Sequence, residues 1–146
     1  MRLELIPSIH RATHRIGLYL GELREGLSQG EAHILALLMA SSPSTIKDLH
    51  RGLAHKRSTL TSILDRLVDR GFVTREVGEA DRRTFVVALT PAGRKVATRV
   101  MRHLTDLEKT VLKRVKASDL LAFKKVVAIV EAEAHARATA SRREPM

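Results

Sequence analysis

The chain has 146 residues, 44% of them hydrophobic, and no cysteine. That length suits one domain with helical extensions, and the missing thiols exclude disulfides, zinc–thiolate sites and thiol redox sensing. No apolar run approaches the roughly eighteen residues that span a bilayer, and Met1–Pro7 is too short and too charged for a signal peptide, so the expectation is a cytoplasmic protein with no membrane partner. The formal net charge of +10 is unevenly spread: residues 92–118 hold eight Lys/Arg against two acidic residues, while residues 1–31 hold four of each sign. An excess of cations favours polyanionic partners, because binding releases counterions from a phosphate backbone.

In chain order, Ile16, Leu20, Leu23 and Leu27 recur at four, three and four. That spacing predicts a first helix over about Ser8 to Glu25. Ser28 and Glu31 have the spacing of a capping box and open a second helix with Ile34, Leu35, Leu37 and Leu38 inside. Ser41-Ser42-Pro43 ends it. Ser44 is the expected N-cap of a short third helix carrying Ile46, Leu49 and Leu53. A fourth helix starts at Lys56 or Arg57, buries Leu60, Ile63, Leu64 and Leu67, and stops at Gly71. Two strands follow, Phe72-Val73 and Thr84–Leu89, the second read from the alternation of Phe85, Val87 and Leu89. Thr90-Pro91 reads as cap and first residue of a long fifth helix. Ser118 is the expected cap of a sixth, where Leu120, Phe123, Val127, Val130 and Ala134 form a heptad seam. The tail from Arg137 is expected to fray.

The third and fourth helices have the order of a helix-turn-helix, with the fourth in a major groove. Its outward residues, Arg57, Ser58, Thr59, Thr61 and Ser62, suit that role: arginine forks onto guanine, and hydroxyls serve phosphates and base edges. Between the strands, Glu79-Ala80-Asp81-Arg82-Arg83 would project Arg82 and Arg83 toward a narrow minor groove, where negative potential is strongest. Asp81 could pair with one arginine and aim it. Lys47, Lys56 and Arg66 are expected at phosphates.

Leu67–Val73 and Asp81–Gly93 resemble the MarR (multiple antibiotic resistance regulator) family of winged helix-turn-helix repressors. The hallmark falls on Asp81, Arg83, Leu89, Thr90 and Gly93; Lys56 stands where a capping residue is common. The resemblance implies a mainly α protein with a small β-hairpin wing, an α+β winged helix-turn-helix core flanked by N- and C-terminal dimerisation helices. The corresponding organisation is a single domain over 1–146, with the DNA-binding core at 28–92 and helical dimerisation regions at 1–27 and 93–140. The resemblance further implies a homodimer that represses from a palindromic site on double-stranded DNA and is relieved by a small effector. An anionic or aromatic effector could use His14, Arg15, Tyr19 and His33. Some family members sense zinc, and Glu22, Glu25, His33 and His103 could in principle converge, but a metal needs about four ligands and the expectation is no metal and no cofactor. Met39 and Met101 read as core filling.

Two other classes compete. The basic stretch 92–118 would also suit an architectural protein that binds DNA without regard to sequence. An enzyme is not expected, for the chain has no glycine-rich phosphate loop, no nucleophile elbow and no His-Glu-x-x-His pair.

Overall fold

The computed structural model describes residues 2–53, 56–79 and 82–141. The chain divides into two units, Met1–Thr105 and Asp106–Met146.

In the first unit, helix α1 (Ile6–Leu20) carries Pro7 in its first turn, where a missing N–H breaks no hydrogen bond. It ends at Leu20 and not at Glu25. Gly21 is its C-cap, and Gly26, at φ +59°, turns the chain toward the next helix. The helical spacing ran on past the end because Leu23 and Leu27 reach the core from the loop. Helix α2 (Gln29–Ser41) has the expected capping box: Ser28 Oγ accepts the Glu31 N–H at 3.2 Å, and the Glu31 carboxylate accepts the Ser28 N–H at 3.3 Å.

Ser44 is not a helix cap. With Thr45 it forms strand β1 (Ser44–Thr45), and Thr45 Oγ1 accepts the Asp48 N–H at 3.1 Å as helix α3 (Ile46–Leu53) begins. Ser44 is buried and its hydroxyl donates to the Ser41 carbonyl, so the next residue takes the capping role. Helix α4 (Arg57–Asp69) leads through Gly71, at φ +75°, into strands β2 (Val73–Val77) and β3 (Phe85–Leu89). The sheet order is β1-β3-β2, antiparallel throughout, with Val73 opposite Leu89, Arg75 opposite Val87 and Val77 opposite Phe85. The hairpin is therefore present, with β2 longer than the expected Phe72-Val73 and a third strand beside it.

Helix α5 (Pro91–Leu112) follows directly, capped by Thr90, whose Oγ1 accepts the Gly93 N–H at 2.9 Å. The core sits around α2. Ile34, Leu35 and Leu38 are buried with Leu49 of α3, Leu60, Leu64 and Leu67 of α4, Val73 and Val87 of the sheet, and Val96 and Val100 of α5. Each such side chain contributes on the order of 1.5–3 kcal/mol by leaving water. This packing leaves the opposite side of α4 to the solvent.

In the second unit, helix α6 (Ala117–Ser141) begins before the expected cap Ser118. The Asp119 carboxylate accepts the Lys116 N–H at 3.0 Å and takes the capping role instead. The helix also continues past Arg137, where fraying was expected, since Ala132, Ala134, Ala136, Ala138 and Ala140 are strong helix formers. No α6 residue is buried. Leu120, Val127 and Val130 of the expected seam are half-buried, but Phe123 is 60% exposed, and Leu121, Val126 and Ile129 stand exposed off the seam. Among the described residues no helix is long and apolar enough to cross a membrane.

Candidate nucleic-acid interface

Helix α4 separates its residues by chemistry. Leu60, Ile63, Leu64 and Leu67 are buried, while Arg57, Ser58, Thr59, Thr61, Ser62 and Arg66 are all exposed. The 3.6-residue period forces this, because apolar residues at three- and four-residue steps anchor one side and everything between them faces outward. Lys56 is the N-cap, in extended conformation, and its side chain makes no capping hydrogen bond. The first N–H groups of α4 thus meet solvent beside two cations, Lys56 and Arg57, with the positive end of the helix dipole behind them. Anions are favoured at such an end. Lys47 is exposed on α3.

The hairpin is tied to α4 at its root. Arg75 of β2 donates to the Asp65 carboxylate of α4 at 2.6 Å. Neither residue was singled out from the sequence. The signal was available for Arg75: strand alternation puts it on the same face as buried Val73, an unusual place for an arginine without a partner. Toward the tip, the Gly78 N–H donates to the Thr84 carbonyl at 2.9 Å, and Arg82 and Arg83 are exposed just before β3. Asp81, expected to aim one of them, lies outside the described residues.

Where the hairpin meets α5, two residues of the hallmark have a physical cause. The Thr90 hydroxyl donates to the Gly71 carbonyl at 2.6 Å, and the Thr90 N–H to the Phe72 carbonyl at 3.1 Å. Gly93 packs so closely on that peptide that a Cβ would lie 1.8 Å from the Phe72 oxygen. Only glycine permits the approach.

Behind α4 lies a cluster of charges that sequence reasoning missed. Glu31, buried, stands 3.4 Å from Arg70 and 3.7 Å from Arg66. Arg66 also reaches Ser62 Oγ at 3.4 Å, so this expected phosphate ligand has neighbours of its own within the fold. Glu25 accepts from Arg99 of α5 through Nε at 2.7 Å and through the terminal nitrogen, and Arg24 approaches at 3.5 Å. Burial pushes the Glu25 carboxyl up, but the Arg99 hydrogen bonds, its own backbone N–H and the nearby positive charges outweigh it and hold the group below the usual carboxylate range. The sequence marks Glu31 only as a cap, and nothing local marks Glu25 or Arg99 as partners.

The cavity that His33 lines takes in none of the other residues suggested for an effector. His14 and Arg15 are exposed on α1. Tyr19 stacks on His103, with ring centroids 3.7 Å apart; its hydroxyl donates to the His103 carbonyl at 2.9 Å, and His103 Nε2 lies 2.9 Å from the Tyr19 carbonyl. His33 instead lines a cavity of about 420 Å³ with Ala36, Leu37, Gly52, Leu53 and Met101. Met101 is thus a partly exposed wall residue and not core filling, whereas Met39 packs against the core. The zinc grouping does not assemble, since His103 is committed to Tyr19 and Glu25 to Arg99. Among the described residues no group of three or more His, Asp or Glu could hold a metal ion.

Comparison with known proteins places this geometry. A model of the MarR family matches residues 27–85. The uncharacterized HTH-type transcriptional regulator YwhA of Bacillus subtilis is 27% identical over 95 residues, 65% of this chain and 68% of that protein. The transcriptional regulator BldR of Sulfolobus solfataricus is 28% identical with a TM-score of 0.71, covering 84% of this chain and 89% of that one. The S. aureus MepR–DNA complex shares the fold at a TM-score of 0.79 and 17% identity, covering 90% and 99%.

Proposed function

We propose that the chain is a DNA-binding transcriptional regulator of the MarR family, as the family match over residues 27–85 and the related regulators support, and that it acts as a cytoplasmic, homodimeric repressor of a palindromic operator, released by a small ligand. The observation that carries the sequence-specific part is the exposed row Arg57, Ser58, Thr59, Thr61 and Ser62 on a helix whose other side is anchored in the core. That row offers a bidentate donor, hydroxyls and threonine methyls to base edges. Lys47, Lys56 and Arg66 take phosphates, and Arg82 and Arg83 enter the neighbouring minor groove. The homodimer is supported by α6, which is apolar on several sides and buries no residue; such a helix needs a cover. A two-fold partner provides one, and protein symmetry then sets operator symmetry. The His33 cavity, mostly apolar with one titratable side chain at its wall, suits a small aromatic acid.

Selection of duplexes from a randomised library tests this. A two-fold symmetric consensus is expected, bound at least a thousandfold more tightly than scrambled duplex at equal salt. Arg57→Ala should cost about 1–3 kcal/mol on that consensus and relax preference at one position per half-site. Failure of selection to enrich any sequence would favour the architectural alternative. Aromatic carboxylates titrated into the selected complex should release the duplex; no release by any of them would remove the effector from the proposal.

A further inference from the structure

The rear of α4 is held at one small hub. Arg70, the C-cap of α4, donates to the backbone carbonyl of Glu25 and, at 3.4 Å, to the buried carboxylate of Glu31, and its guanidinium lies 5.0 Å from the centroid of the Phe72 ring. The Glu25 carboxylate is in turn gripped by Arg99 of α5. Phe72 returns to the same helix, since its carbonyl accepts the Thr90 N–H at 3.1 Å. The contacts therefore close a circuit: Arg99, Glu25, Arg70, Phe72, Thr90 and back along α5. Its two ends, the capping residue Thr90 and Arg99 of α5, are nine residues apart, about 13 Å along the axis. A hold at two points that far apart fixes orientation as well as position. An exposed surface pair would do neither, because long charged side chains in water adopt many geometries; here the Glu25 and Glu31 side chains are almost completely buried.

One feature of the hub argues against a purely stabilising role. Both Arg99 nitrogens converge on Glu25 Oε1, and Oε2 is buried with no hydrogen-bond partner among the described residues. An arrangement optimised for stability would satisfy both oxygens or be apolar. This one keeps an ionised group where it directs the Glu25 backbone at Arg70.

We propose that Glu25 is a positioning residue for DNA reading: anchored to α5 by Arg99, it sets the C-terminal end of α4 through Arg70, so that the angle at which α4 presents Arg57–Ser62 follows α5. This rests on the DNA-reading role proposed for α4. The hub is a brace of defined geometry and touches no DNA itself.

The test uses the full chain with Glu25→Gln, nearly isosteric, alongside Arg99→Ala, Arg99→Lys and Arg70→Ala, at a temperature where circular dichroism shows each folded. Affinity is read for a duplex selected by the wild-type protein and for its scrambled counterpart. Glu25→Gln should lower the ratio of the two tenfold or more, mostly through the selected duplex, and leave scrambled binding within twofold. Arg99→Lys should restore part of what Arg99→Ala loses. The double variant Arg70→Ala/Arg99→Ala should be no worse than the poorer single variant, as members of one circuit require. An unchanged ratio in Glu25→Gln, or additive losses in the double variant, overturns the proposal; so does an equal loss on both duplexes. A readout without DNA separates this from failure of the DNA-reading role. Amide exchange at residues 66–70 should quicken in Glu25→Gln while the β2–β3 ladder stays protected, and unchanged exchange there overturns the brace even if selection enriches no duplex.

Discussion

Helices α4 and α6 show two ways in which a sequence can leave an apolar helix. In α4, four apolar residues at regular helical steps are all buried by the same chain, and the remainder, polar but for Val68 near the C-terminal end, forms the outer face. In α6, apolar residues point in several directions and none is buried, with Leu121 71% and Phe123 60% exposed. The first helix is finished within its own chain, so its outer face is available for a ligand. The second is unfinished by its own chain, and its outer face is what a partner would complete. The difference teaches what each proposed role asks of a helix: amphipathicity for the one proposed to read DNA, and apolar residues on several sides for the one proposed to assemble.

The sharpest way to break the comparison is to damage the winged core without touching either helix. Gly93→Ala places a methyl against a backbone carbonyl that cannot rotate away, and α5 must then part from the root of the hairpin. The expected loss is about 3 kcal/mol, at the upper end for overpacking, seen in chemical denaturation at every protein concentration. If Gly93→Ala retained wild-type stability, the close approach would not be what holds the hairpin to α5. Phe123→Ala probes the other side of the comparison. In an isolated chain, truncating a side chain 60% exposed costs little. In a homodimer covered at α6 it should cost about 2 kcal/mol, appearing as a weaker dimer in sedimentation and a melting temperature that depends more steeply on concentration. A concentration-independent melt in both proteins would remove α6 from the assembly.

The same contrast explains how much was legible in the sequence. The α4 face, the stop at Gly71 and the start of α5 at Thr90-Pro91 could be read because each is specified locally, by period, by positive φ and by capping chemistry. The outward set Arg57, Ser58, Thr59, Thr61 and Ser62 followed from the same period. Strand β1 could not be read, for two residues are too few to alternate. The end of α1 was missed because a loop can supply core leucines at helical spacing, as Leu23 and Leu27 do. The pairs Arg75–Asp65 and Arg99–Glu25 were invisible for another reason: periodicity tells which face a residue takes, never which distant residue meets it. The α6 seam was half legible, since Leu120, Val127 and Val130 stand partly covered while three neighbours off the seam are as apolar and more exposed.

The smallest effect concerns the N-terminus of α4, where the proposed DNA contact and folding would make opposite demands. Lys56 holds the extended backbone of an N-cap but gives no side-chain acceptor to the helix. Serine in that conformation would accept an N–H and should stabilise the protein by about 0.5–1 kcal/mol. If Lys56 instead serves a phosphate, Lys56→Ser should also weaken binding to selected and scrambled duplex by similar factors and lower the salt slope of log K by about 1. The variant would then be the more stable protein and the poorer binder. Gain of stability with unchanged binding and unchanged slope would assign no phosphate to Lys56 and leave the outer face of α4 to begin at Arg57. Loss of stability would show that the lysine stem packs more usefully than a capping hydroxyl, so that the start of α4 is finished by its own chain as completely as its buried face.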